Sequence, residues 1–269
     1  MEAFLGYGFL QRALLAGIFI AVACALLGVF LILRRDAMIG HGMAHVTFAG
    51  IALGLLLSVV PLYTALAVTV VSVVGIIKIK KKAGLYGDTA IAIFSSAGFA
   101  LGILFVSLGR SFNVDLFSYL FGDILAIGNE EVWLSVFLAL VVIFVIVLNY
   151  KKLLFMTFDS ESAKAAGIKV NRLDMLVGIL TAVTVVLGMK VVGILLVSAM
   201  IVLPAAAGLQ LAGNFKRAIL LSVAVSVVSV LGGLVCSLCL DLPASGTIVF
   251  AAFIIFLLFF LIKLRRDRK

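Results

Sequence analysis

Hydrophobic residues in this chain fall in long runs, set apart by short clusters of polar and basic residues. A run of about 20 apolar residues is long enough to cross the hydrocarbon of a bilayer as an α-helix. The pattern predicts nine spans: Ala13–Leu33, Met43–Val60, Leu62–Ile77, Thr89–Leu108, Val132–Leu148, Leu173–Gly188, Val191–Leu211, Ala218–Leu240 and Ile248–Ile262. The stretch from Leu173 to Leu211 is broken only by Lys190, yet it is too long for one crossing. The expected fold class is all-α, a polytopic integral membrane protein of about nine spans, organised as one transmembrane domain over residues 1–269.

Composition agrees. The chain is 65% hydrophobic and 12% charged, with a mean hydropathy of +1.37. A soluble domain is about half apolar and a quarter charged. The formal net charge is +9, and the positions of the charges set nucleic acid aside as its explanation. With the tail 263–269 placed inside, the inner loops hold Arg34, Arg35, Lys78, Lys80, Lys81, Lys82, Lys151, Lys152, Lys164, Lys169, Arg172, Lys216 and Arg217. Together with that tail they carry 18 of the 21 Lys and Arg. The positive-inside rule then predicts an outer N-terminus and a cytoplasmic C-terminus. The opening residues, MEAFLGYGFLQRALL, have no basic n-region and no small-residue cleavage site, so no removable signal is expected.

The only two histidines, His41 and His45, stand four residues apart at the start of an apolar helix. That spacing is about one turn, so both imidazoles can face the same way. Paired nitrogen ligands at the edge of a bilayer suggest a divalent transition metal in passage. The bland alternative is that each imidazole sits in the headgroup region near a helix end. A zinc protease would need HExxH, whereas this chain reads HGMAH, with Gly42 in place of the general base. No GxxxxGK[ST] is present, so any ATP hydrolysis belongs to another chain.

A second constellation lies at Lys151–Arg172. Asp159 or Ser160 can cap a short helix, Glu161 lies in its first turn, and Gly167 suits a left-handed stop. The result, about 158–168, reads equally as a docking helix for a motor subunit or as an amphipathic connector. Pro204, followed by Ala205, Ala206, Ala207 and Gly208, marks a bend beside a small-residue face. Asp88 is placed as the cap of the helix from Thr89. The segment Asn113–Glu131 carries Asp115, Asp123, Glu130 and Glu131, and is read as a re-entrant or interfacial helix. Cys24, Cys236 and Cys239 all fall in apolar stretches and are read as small packing residues.

Five blocks in order, IGHGMAHVTFAGIALG, GDTAIAIFSSAGFALGILFVSL, DLFSYLFGDILAI, FDSESAKAAGI and VVGILLVSAMIVLPAAAG, resemble the membrane permease subunit of bacterial ABC importers for zinc and manganese. The resemblance implies a permease fold like that of the cobalamin importer (type II) in the bacterial plasma membrane. It further implies a homodimer of permease copies, a cytoplasmic ABC ATPase, an extracytoplasmic metal-binding protein and no permanently bound cofactor, with Zn²⁺ as transported substrate. FDSESAKAAGI matches the family's ATPase-coupling helix, which carries the coupling role to Asp159, Ser160, Glu161, Ala163, Lys164 and Gly167. His45 matches the histidine of the second-span motif. His41 stands where many members have Asp, and Phe48-Ala49-Gly50 where manganese-type members often have Leu-Pro-Gly. Imidazole in place of a hard carboxylate moves the expected preference from manganese toward zinc. The metal site expected is His41 and His45, with Asp115 and Asp123 as weaker candidates. A manganese or iron permease of the same family is the alternative. An ion-coupled secondary transporter is disfavoured because the span interiors are nearly free of charge.

Overall fold

The computed structural model describes residues 8–82, 87–109, 119–122, 128–191 and 193–267. Ten helices run through the described residues: α1 Gly8–Leu33, α2 Met38–Leu56, α3 Pro61–Lys82, α4 Gly87–Leu108, α5 Asn129–Phe158, α6 Ser160–Ala165, α7 Val170–Val191, α8 Ile194–Leu211, α9 Phe215–Leu240 and α10 Ala244–Asp267. Eight of them are long and apolar enough to cross a membrane, and α8, at 18 residues, is the shorter ninth. Every predicted span thus has its helix.

Several boundaries differ from the predicted ones. α2 starts at Met38 rather than Met43, because the α1–α2 turn closes early and the Asp36 carbonyl accepts the Ile39 N–H at 3.0 Å. It ends at Leu56 rather than Val60, where Ser58 turns left-handed and Pro61 opens α3. α5 runs ten residues beyond the predicted end at Leu148, to Phe158. Its polar residues Asn149, Lys151 and Lys152 do not stop it, since Leu153 and Met156 stay buried and Tyr150 packs on Phe215, ring centroids 5.8 Å apart. Asp88 lies in the first turn of α4, not at its cap.

The helices α1, α2 and α7 form the buried centre, while α4 and α10 lie at the periphery. α2 packs on α3 and α4, α1 on α5, α8 and α9, and α9 on α10. Lipid is as apolar as leucine, so small residues that permit close approach drive such contacts. The α2–α4 crossing is the clearest case. A Cβ on Gly98 would lie 2.9 Å from the Val46 Cα, which leaves no room for any side chain there. The small face at Ala205 and Gly208 packs against Ser222 of α9. Several hydroxyls inside the bundle bond to backbone carbonyls, as Thr181 does to Val177 (2.8 Å) and Ser226 does across to Ala21 (2.9 Å).

Of the cysteines, Cys24 is buried and fits the packing role expected of it. Cys236 and Cys239 are exposed on α9. In a membrane protein an apolar stretch of sequence also describes an exposed helix face, so it does not by itself give the pair a packing role.

Polar ties between helices fall at two opposite faces of the bundle. Arg12 of α1 donates to Asn129 at the start of α5 (3.1 Å) on one face. Arg34, Asp36, Lys80 and Asp174 meet on the other. Substituting Gly98→Val should force α2 and α4 apart and cost about 1–3 kcal/mol, as overpacking typically does. Thermal unfolding in detergent should show a lowered melting temperature for Gly98→Val and none for Gly232→Ala, whose added Cβ meets nothing within 4 Å.

Candidate functional site

The first turns of α2 carry the histidines. Small residues on either side hold the helix tightly: Gly42 faces Ile91 of α4, and Gly50 lies against Ala65 of α3. Two residues beyond His45, the buried Thr47 hydroxyl donates to the Met43 carbonyl (2.8 Å) and meets the Thr69 hydroxyl of α3 at 3.0 Å. The helix is thereby fixed in rotation, and so is the face on which the imidazoles stand.

His41 and His45 are in direct contact, with their Nε2 atoms 3.3 Å apart and ring planes at 89°. His45 is half-buried and packs edge-on against Phe99 of α4, centroids 5.2 Å apart. His41 is exposed at the surface of this single chain. Among the described residues no group of three or more His, Cys, Asp or Glu gathers here or elsewhere. The pair therefore offers two lone pairs for a metal and leaves further coordination positions open. Of the weaker candidates, Asp115 and Asp123 lie outside the described residues. Glu130 is exposed at the start of α5, away from the histidines, and Glu131 follows it in the same helix. Most of the predicted interfacial helix over 113–131 also lies outside the described residues. Its part at 119–122 contacts the α7–α8 turn, where Gly193 has φ +84° and an added Cβ would sit 2.5 Å from the Leu120 carbonyl oxygen.

α6 has the capped form read from the sequence. The Asp159 carboxylate accepts the Ser162 N–H at 2.9 Å, and Glu161 lies in the first turn with its carboxylate on Lys164 (2.8 Å). At the other end Gly167 is left-handed, φ +81°, with Gly167 N–H on Lys164 O and Ile168 N–H on Ala163 O, both 3.0 Å. This is a Schellman stop. Ala163 is fully buried and anchors α6 on α5 and α7, while Ser160, Glu161 and Lys164 face outward. The side-chain and backbone hydrogen bonds from Ser162 hold the Asp159 carboxyl below its ordinary range, and the Glu161 carboxylate raises the Lys164 ammonium.

Sequence reasoning missed the residues between these two features. Asp36 accepts from Lys80 (2.9 Å) and lies 3.6 Å from Arg34, whose guanidinium also pairs with Asp174. This ionic chain borders a cavity of about 500 Å³ that reaches Ser160 and Lys164 of α6. Two acidic residues amid the basic loops were the available signal. Arg34 and Lys80 had been read only as marks of topology.

The cap predicts a pH response. A depressed carboxyl contributes stability that is present above the ordinary aspartate range and lost as pH falls through the depressed value. Amide-exchange protection at Ser162 should therefore hold from about pH 8 to about pH 5. Hydrogen-exchange mass spectrometry should find it lost at all these values in Asp159→Ala and largely kept in Asp159→Asn, since asparagine is an equivalent cap.

Comparison with known proteins gives one consistent result. The model of the ABC 3 transport family matches residues 6–263. The manganese transport system membrane protein MntC of Listeria innocua is 32% identical over 261 residues, covering 97% of this chain and 93% of that one. The high-affinity zinc uptake system membrane protein ZnuB of Haemophilus influenzae is 30% identical, covering 91% and 94%. A solved structure, PsaBC from Streptococcus pneumoniae in complex with Fab, superposes with a TM-score of 0.86 at 31% identity, covering 96% of this chain and 93% of that one. The chain accordingly belongs to the ABC 3 transport family, as its five ordered sequence blocks implied.

Proposed function

We propose that this chain is the plasma-membrane permease of an ABC importer for a divalent transition metal, that Zn²⁺ is its preferred cargo, and that His41 and His45 hold the ion in passage. The observation that carries the reading is the 3.3 Å separation of the two Nε2 atoms. Two nitrogens bound to Zn²⁺ at 2.0–2.1 Å and subtending a tetrahedral angle lie ~3.3 Å apart, so the pair needs little rearrangement to accept the ion. An incomplete ligand set suits transport, because the ion must also leave. Manganese is the second reading, favoured by the manganese-named relative MntC. Imidazole at position 41, where a carboxylate would suit manganese better, favours zinc.

Energy comes from a separate ATPase that docks on α6 through the outward face of Asp159–Gly167. The face bearing α6 and the basic loops is the cytoplasmic one, which leaves the start of α1 outside. A metal-binding protein delivers the ion on the opposite face, where Asp115, Asp123, Glu130 and Glu131 concentrate cations. A second copy of the chain covers His41 and the exposed faces of Phe99 and Ile93 on α4. Two imidazole pairs then face each other across the symmetry axis, which supplies the missing ligands.

In cells making normal amounts of the complex, His41→Ala and His45→Ala should each lower zinc uptake by about tenfold or more, since losing even a partner that only orients a metal ligand costs about 10–100-fold. Radiometal uptake with zinc and manganese in competition should favour zinc in the wild type and move toward manganese in His41→Asp. Unchanged uptake in both alanine variants would remove the pair from the pathway.

A further inference from the structure

We infer that the ionic chain Lys80–Asp36–Arg34–Asp174 carries the position of α6 to the histidine pair, with Arg34 as the positioning residue that joins the two. The inference rests on the reading of α6 as the ATPase contact and adds the route by which that contact reaches the metal. At one end of the route, α6 closes on its Schellman stop and α7 begins at Val170, so Asp174 lies within the opening turns of α7. The Lys164 ammonium on α6, raised chiefly by Glu161, also lies within the field of the Asp174 carboxylate. At the other end, Asp36 feeds directly into α2, where its carbonyl accepts the Ile39 N–H, and His41 follows two residues later.

The turn that holds Arg34 and Asp36 has no slack. Arg35 N–H bonds to Ile32 O (3.0 Å) and Asp36 N–H to Leu31 O (2.9 Å), with Arg35 itself left-handed at φ 59°. A movement of Arg34 is therefore a movement of the start of α2. A cavity of about 500 Å³ is lined together by Arg34 and Asp36 of this turn, Ser160 and Lys164 of α6, and Asp174 of α7. The Arg34–Asp174 pair lies in its wall. The side chains of Arg34, Asp36 and Asp174 are only 15%, 13% and 21% exposed, so separating them leaves a charge poorly solvated at the membrane edge. Shifting the turn with Asp174 is the easier response. Lys80, 41% exposed, holds Asp36 from α3 and keeps the far end of the chain in register.

The test uses the permease assembled with its ATPase in proteoliposomes and reads metal moved per ATP hydrolysed, a ratio that the amount of folded protein does not change. Arg34→Gln and Asp174→Asn should each lower this ratio by about fivefold or more, the lower end of coupling between distinct sites, while ATP hydrolysis continues. The double variant should be no worse than the worse single, the mark of two groups acting as one. Lys80→Gln should have a smaller effect. If Arg34→Gln does not assemble, Arg34→Lys keeps the charge without the forked geometry and should still lower the ratio. A ratio within about twofold of wild type in Arg34→Gln, or in Arg34→Lys where only that variant assembles, or additive effects in the double variant, would overturn the inference. A wild-type complex that moves neither zinc nor manganese would instead overturn the function on which it rests.

Discussion

Helices in hydrocarbon gain nothing by hiding apolar side chains from one another, and close backbone approach takes the place of the hydrophobic effect. In this chain the constraint falls hardest on α2. It is packed through glycine against α3 at Gly50 and against α4 at Gly98, and a hydroxyl pair, Thr47 with Thr69, pins it between them. Everything proposed for the metal depends on that confinement. A helix free to rotate by a fraction of a turn would keep the two imidazoles together but swing them away from Phe99 of α4.

Charge is the second organising force, and it is confined to the rims. The spans bury hydroxyls that bond locally, while the ionised groups collect where the helices emerge. Among the described residues, Arg12 ties to Asn129 across helices on one face, and a four-residue ionic chain lies beside a capped helix on the other.

The helices were legible in the sequence because each span is a run of apolar residues that no other structure could satisfy inside a bilayer. The end of α5 was not, since Asn149–Lys152 look like a loop until Tyr150 meets Phe215 from α9. The histidine pair was legible because four residues is a helical spacing and the chain holds no other histidine. The same local logic gave the caps of α6. The pairing of Arg34 with Asp174 could not be read, because 140 residues separate them and no local period encodes the contact. Cys236 and Cys239 failed for a different reason, in that apolar sequence does not distinguish a lipid-facing position from a core one.

The long end of α5 has one further consequence. Its ten residues past Leu148 add about 15 Å of rigid rod, at 1.5 Å per residue, before the chain turns into α6. A rod of this kind fixes azimuth as well as height. Adding or deleting one residue within it would swing α6 by about 100° around the α5 axis, turning its outward side chains toward the bundle or the lipid. A change of length in this segment therefore moves the outward face of α6 in angle and, by about 1.5 Å per residue, in height.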